Sequence, residues 1–172
     1  MRGVREGTIL LKTERFVRRS RIEAPAEAVF DWHMSPGALE RLIPPGDPMQ
    51  VLETTGEIGN GARVLFLIRI GPIPVRWLAE HTGFRPGREF TDRQIQGPFA
   101  YWEHRHLVEP DGESACVLED RIDYALPLGW LGRLLAGWFV RRKLDRLFAY
   151  RHRITAEALR DGQYPRSAIA SQ

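Results

Sequence analysis

The chain has 172 residues, 43% hydrophobic and 27% charged, which excludes a disordered chain or a fibrous repeat and points to one globular domain. Its net charge is only +3, and most arginines alternate with Asp or Glu. The denser groups, Arg15, Arg18, Arg19 and Arg21 early and Arg141, Arg142, Lys143 and Arg146 late, do not make a recognisable nucleic-acid module, so no nucleic-acid partner is expected. Cys116 is the only cysteine, which rules out an intrachain disulfide and a cysteine-based zinc site and predicts a reducing, cytoplasmic location. The charged residues 1–7 are not followed by the apolar run of a signal peptide.

In chain order, β-branched alternation predicts a first strand over residues 8–22, closed by Ala24-Pro25. Pro25 suits the first turn of a short helix through Val29, Phe30 and Trp32. Ser35-Pro36 restarts a second short helix over residues 37–43, which Pro44-Pro45-Gly46 ends. Six candidate strands follow at 49–55, 62–70, 74–84, 89–96, 100–109 and 115–125. The Gly-, Pro- and Asp-rich turns between them are short enough to join antiparallel neighbours. After Leu126-Pro127-Leu128-Gly129 the period changes, and residues 130–159 read as one long helix with a stop at Asp161-Gly162. The expected fold is α+β: a curved antiparallel sheet of about seven strands gripping a long C-terminal helix, in one domain over residues 8–160. Residues 161–172 read as a polar tail.

The segments Gly97-Pro98-Phe99, Trp102-Glu103-His104-Arg105-His106, Leu118-Glu119-Asp120-Arg121 and Phe148-Ala149-Tyr150-Arg151-His152 give the chain, over roughly residues 10–160, a resemblance to the START-like, or SRPBCC, superfamily. Within it, the chain is similar to the START-like domain found beside nucleotide-sugar-epimerase-like domains in bacteria. The resemblance implies the helix-grip fold. The superfamily holds carriers, cyclases and regulators alike, so it implies no single activity.

Hairpin arithmetic assigns the two faces of the sheet. With Pro86-Gly87 as a two-residue loop, Glu80 pairs with Arg93, His81 with Asp92, Ala79 with Gln94 and Leu78 with Ile95. Glu80, Arg93, Glu103, Arg105, Glu119, Arg121 and Asp123 form an alternating-sign outer ladder suited to water. The inner face then mixes aromatic and polar residues, whereas Val64, Phe66, Ile68 and Ile70 would be packed core. Ligand-lining candidates are Phe66 and Ile68, then Trp77 and His81, then Phe90, Asp92 and Gln94. Trp102, His104 and His106 follow, then Asp120 and Tyr124, with Leu131 and Leu135 from the helix.

His104 and His106 at i, i+2 have the spacing of a two-histidine metal arm to which Asp92 or Asp120 could add a carboxylate, but two histidines without a third fixed ligand seldom make a site, so neither a metal nor a cofactor is expected. With Asp92 or Asp120 they, or His81, are candidate general acid/base residues. No nucleophile elbow, phosphate loop or dinucleotide fingerprint is present. The helix begins almost wholly apolar, with Gly132 and Gly137 within it, and Trp130 and Trp138 are expected in the core. The leading expectation is a carrier, sensor or transfer protein for a small hydrophobic molecule such as a lipid, isoprenoid, quinone or polyketide. The alternatives are an aromatase/cyclase-like enzyme with a His–Asp acid/base pair, and a regulatory or oligomerisation module. Transient contact with a membrane surface through residues 130–143 is a further expectation, and a protein partner stays open.

Overall fold

Strand β1 (Glu14–Ile22) leads into two short helices, α1 (Ala26–Met34) and α2 (Ala38–Arg41). Six strands follow: β2 (Gln50–Thr55), β3 (Arg63–Ile70), β4 (Ile73–Arg85), β5 (Glu89–Gln96), β6 (Tyr101–Pro110) and β7 (Cys116–Ala125). A helix of 32 residues, α3 (Gly129–Arg160), follows β7. The computed structural model describes residues 12–56 and 59–162. The beginning of the expected first strand and most of the polar tail lie outside these. All seven strands form one antiparallel sheet in the order β1-β7-β6-β5-β4-β3-β2. The meander β2 to β7 follows from short turns, and β1 closes the far edge against β7.

The register keeps the expected parity through the site: His81 opposes Asp92, Asp92 opposes His104, His106 opposes Asp120 and Trp102 opposes Tyr124. The β4–β5 hairpin differs at both ends. Arg85 pairs with Glu89, so the loop holds three residues, 86–88, rather than two, with Arg88 N–H donating to Arg85 O at 3.0 Å. Pairing resumes at Arg85–Glu89 beyond Gly83, which is left-handed at φ +59° and lets an irregularity into the strand. A second irregularity pairs Leu78 with Gln96 rather than Ile95.

Helix α3 packs on β1, β7 and α1. Two buried apolar clusters lie along it. One holds Phe16, Trp102, Ile122, Leu144 and Phe148; the other holds Ile22, Trp32, Val108, Leu118 and Leu159. Four elements pass from one cluster to the other, and each places polar side chains between: Ser20 on β1, His104 and His106 on β6, Asp120 on β7 and His152 on α3. The core is therefore interrupted by a polar layer.

Three expectations about exposure are corrected. Glu103 and Glu119 are on the outer face yet buried, because Arg93, Arg105 and Tyr101 close over the first while Arg19 and Arg121 close over the second. Ile70, placed in the core by its strand pattern, is at the end of β3 beside the turn and exposed. Trp130 and Trp138 are not core residues: they stand 73% and 74% exposed. The inward side of this half of α3 carries Ala136 and Val140 instead.

Candidate functional site

The chain has five histidines, and the fold brings all of them to the concave interior. Asp120 is the hub. Its Oδ1 accepts from His104 Nε2 at 2.7 Å, and its Oδ2 accepts from His152 Nε2 at 2.7 Å. A carboxylate can only accept, so both of those ring nitrogens carry protons. His152 Nδ1 shares a hydrogen bond with the Ser20 hydroxyl, 2.8 Å away. His33 Nδ1 donates to the carbonyl of Val29 at 2.8 Å, and its ring centre lies 6.3 Å from that of His106.

His106 sits between the two carboxylates. Its Nε2 donates to Asp92 Oδ2 at 3.1 Å, while its Nδ1 lies 2.8 Å from Asp120 Oδ1 without hydrogen-bond alignment. With both nitrogens facing carboxylates, the ring is an imidazolium. Burial alone would lower its pKa, but Asp120 and Asp92 outweigh it and hold the value up to about 9. Phe90 stacks on this cation, with centroids 4.0 Å apart and planes at 14°. His104, only 3.8 Å away ring to ring, goes the opposite way. Burial and then the charge on His106 push it down to about 4. His33 is also pushed down to about 4 by burial.

Burial opposes ionisation of both carboxyls, yet the facing histidines keep Asp92 and Asp120 well below the usual carboxylate range. Arg151, whose guanidinium is lowered by burial and raised by Asp120 and Asp92, supplies a second positive charge. The two carboxylates thus face opposite charges on His106 and Arg151, which is how a charged cluster survives in an interior.

An aromatic row adjoins the cluster along β3, β4 and β6. Trp77 meets Trp102 edge-on at 4.9 Å and lies 5.7 Å from Phe99 and 6.4 Å from Phe66. Phe99 is 6.0 Å from Tyr124 in turn. Among the described residues, four buried side-chain atoms lack an aligned hydrogen-bond partner: Trp77 Nε1, His81 Nδ1, Asp92 Oδ1 and His106 Nδ1. His81 Nε2 approaches Asp92 Oδ1 to 2.9 Å, again off alignment.

The expected lining thus divides. Trp77, His81, Phe90, Asp92, Trp102, His104, His106 and Asp120 are brought together, and Phe66, Ile68 and Tyr124 flank them. Gln94 faces the same side, but its amide is engaged at both ends by the Phe99 backbone, through Nε2 to Phe99 O at 2.8 Å and Phe99 N to Oε1 at 3.3 Å. It is a brace for the β5–β6 loop. Leu131 and Leu135 lie on the exposed side of α3. Two open depressions, of about 500 and 390 Å³, occur at the β5–β6 loop and around Thr82, Glu103 and Arg105.

Asp92, His104 and His106 offer ligand atoms within 4.8 Å of one another, a span that one divalent cation could bridge. A cation there would displace the His106–Asp92 hydrogen bond. His33, His152, Arg151 and Ser20 were not among the candidates. His152 follows Leu144 and Phe148 at four-residue spacing on the inward face of α3, a helical signal strong enough to have found it.

A search of the curated proteins finds no match. Among solved structures, norcoclaurine synthase of Thalictrum flavum is similar at TM-score 0.69 and 17% identity, covering 88% of this chain and 97% of that one. The ZhuI aromatase/cyclase of Streptomyces sp. R1128 is similar at TM-score 0.61 and 16% identity, covering 94% and 100%. At these identities the likeness shows the fold alone. A nucleoside-diphosphate sugar epimerase of Corynebacterium glutamicum is 27% identical with TM-score 0.66, over 84% of this chain but 29% of that one. The likeness is to one part of that protein, as the sequence motifs anticipated. The model of a family described as a domain of unknown function, DUF8410, matches residues 20–159, so the chain, with its START-like (SRPBCC) helix-grip fold, belongs to that family.

Proposed function

We propose that the protein binds a small, largely apolar molecule carrying an acceptor oxygen, as a carrier or sensor, on the concave face where the aromatic row meets the His–Asp layer. The observation that carries this reading is the indole N–H of Trp77, buried and without a partner at that junction. A buried donor left unmade costs about 1–3 kcal/mol, a penalty that a ligand carbonyl or hydroxyl would remove. Phe66, Phe99 and Trp102 supply apolar area around the donor. Helix α3 packs toward the β1–β7 side, and Phe66 and Trp77 on β3 and β4 stay only half-buried. A guest molecule there would complete the core.

Native mass spectrometry of the freshly purified chain tests this. The expected result is a discrete mass excess of a few hundred daltons that organic solvent releases and that Trp77→Phe reduces. Bare protein that also fails to retain added 9-fluorenone, an apolar ketone, overturns it.

A second reading rests on a different observation. His104 and His106 hold opposite protonation states side by side, a neutral base next to an imidazolium acid. Such a pair suits proton transfer at carbon next to a carbonyl, the chemistry of a cyclase. Exchange of the α-protons of bound 2-tetralone with deuterated water, lost in His104→Gln, would favour it over binding alone.

A further inference from the structure

We infer that the first half of α3 is a docking surface for a lipid bilayer with anionic headgroups. Trp130, Leu134 and Trp138 form one row at four-residue spacing, and Leu131, Leu135 and Phe139 form the row beside it. Leu131 is 39% exposed and the other five are 62 to 74% exposed. Contiguous apolar surface of this kind on a water-soluble fold marks an interaction site. The opposite side of the same turns already packs on the core through Ala136, Val140 and Leu144, so the exposed rows have no place left inside.

The charge around the rows selects the partner. From residue 128 to 144 there is no Asp or Glu, while Arg133, Arg141, Arg142 and Lys143 all fall within it and Arg146 follows. The Arg142 guanidinium lies 5.5 Å over the Trp138 ring, so cation and aromatic share the border of the patch. Glu14 is already engaged by Arg133 at 3.6 Å, so a second copy pairing through this face would bring Arg141, Arg142 and Lys143 against their own counterparts with only Asp145 following them in the sequence. An anionic headgroup layer supplies the countercharge, and the interface beneath it accepts tryptophan and leucine. No described helix is long and apolar enough to cross a membrane. The geometry is that of a helix lying in the plane of the interface. This inference stands without the ligand reading, since it needs only the outer side of α3.

The test is tryptophan fluorescence of the full chain with vesicles of phosphatidylcholine alone and of equal parts phosphatidylcholine and phosphatidylglycerol. Trp32 and Trp102 are buried and Trp77 is half-buried on the concave face with its indole N–H enclosed, so a shift to shorter wavelength on mixing reports chiefly Trp130 and Trp138. Binding to the mixed vesicles should weaken with salt and fall about fivefold for each charge removed in Arg141→Gln and Arg142→Gln. Leu134→Gln with Trp138→Gln should lower it at least about tenfold. All four side chains are exposed, and an unchanged melting curve confirms the fold of each variant. Absence of binding to the mixed vesicles, or equal binding to both compositions, overturns the inference. So does a concentration-dependent dimer that Leu134→Gln abolishes, which would assign the face to a second copy.

Discussion

His106 concentrates the electrostatics of the molecule in one side chain. Its pKa is raised to about 9 from 6.5, which makes its charge a folding contribution of roughly 3 kcal/mol. The unfolded chain releases this proton first, so the contribution is complete below about pH 6.5 and is lost as pH rises through about 9. His104 and His33 act with the opposite sign. Both are lowered to about 4, so their part is present above about pH 6.5 and is lost as pH falls toward 4. Urea midpoints should therefore peak near neutrality and fall on both sides, and His106→Gln should flatten the alkaline limb. A wild-type midpoint unchanged from about pH 7 to 10 would show that His106 does not carry its charge into the folded state. The pairing that creates this was readable from the hairpin, because Asp92, His104 and His106 share one face by parity alone. Their partner His152 arrives from 32 residues beyond Asp120, a distance that strand arithmetic does not span.

At the scale of the element, α3 was legible as a helix with an apolar start and an amphipathic remainder, but the exposure of that start was not. Gly132 and Gly137 both lie in its apolar start, and the structure separates them. A Cβ on Gly132 would sit 2.0 Å from the carbonyl oxygen of Pro127, backbone that cannot turn aside. A Cβ on Gly137 would find its nearest neighbours at 3.9 and 4.0 Å, ordinary contact. Gly137→Ala should raise stability by about 1 kcal/mol through helix propensity. Gly132→Ala should lower it by about 1–3 kcal/mol through overpacking. Thermal melts of the two single variants decide this, and equal shifts of the same sign would contradict the close approach at Pro127. The same helix misleads about Trp130 and Trp138: an apolar run by itself does not tell core from interface. Burial depends on which side of the helix meets the sheet. The start of α3 hangs from a left-handed Leu128, at φ 64°, a backbone setting that composition does not reveal.

Across the whole molecule, seven strands, two short helices and one long helix were readable in order, because each turn is short and chemically marked. The departures are local: an irregular β4, and two glutamates on the outer face that arginines bury. The polar layer between the two apolar clusters follows from the face assignment, yet its completeness does not, since Ser20, His33 and His152 come from elements outside the β4–β7 meander. Among the buried atoms left without an aligned partner is the indole donor of Trp77, on sheet away from the β1–β7 side where α3 chiefly packs, and the binding reading depends on it. The indole region of a nitrogen-15 to proton correlation spectrum examines that donor directly, since each of the five tryptophans contributes one N–H signal. On titration with 9-fluorenone, the Trp77 signal should move downfield and saturate, while that of Trp32, enclosed in the other apolar cluster, should stay in place. A Trp77 signal that does not move, while those of Trp130 and Trp138 do, would contradict the account by placing the only apolar binding surface on the outside of α3.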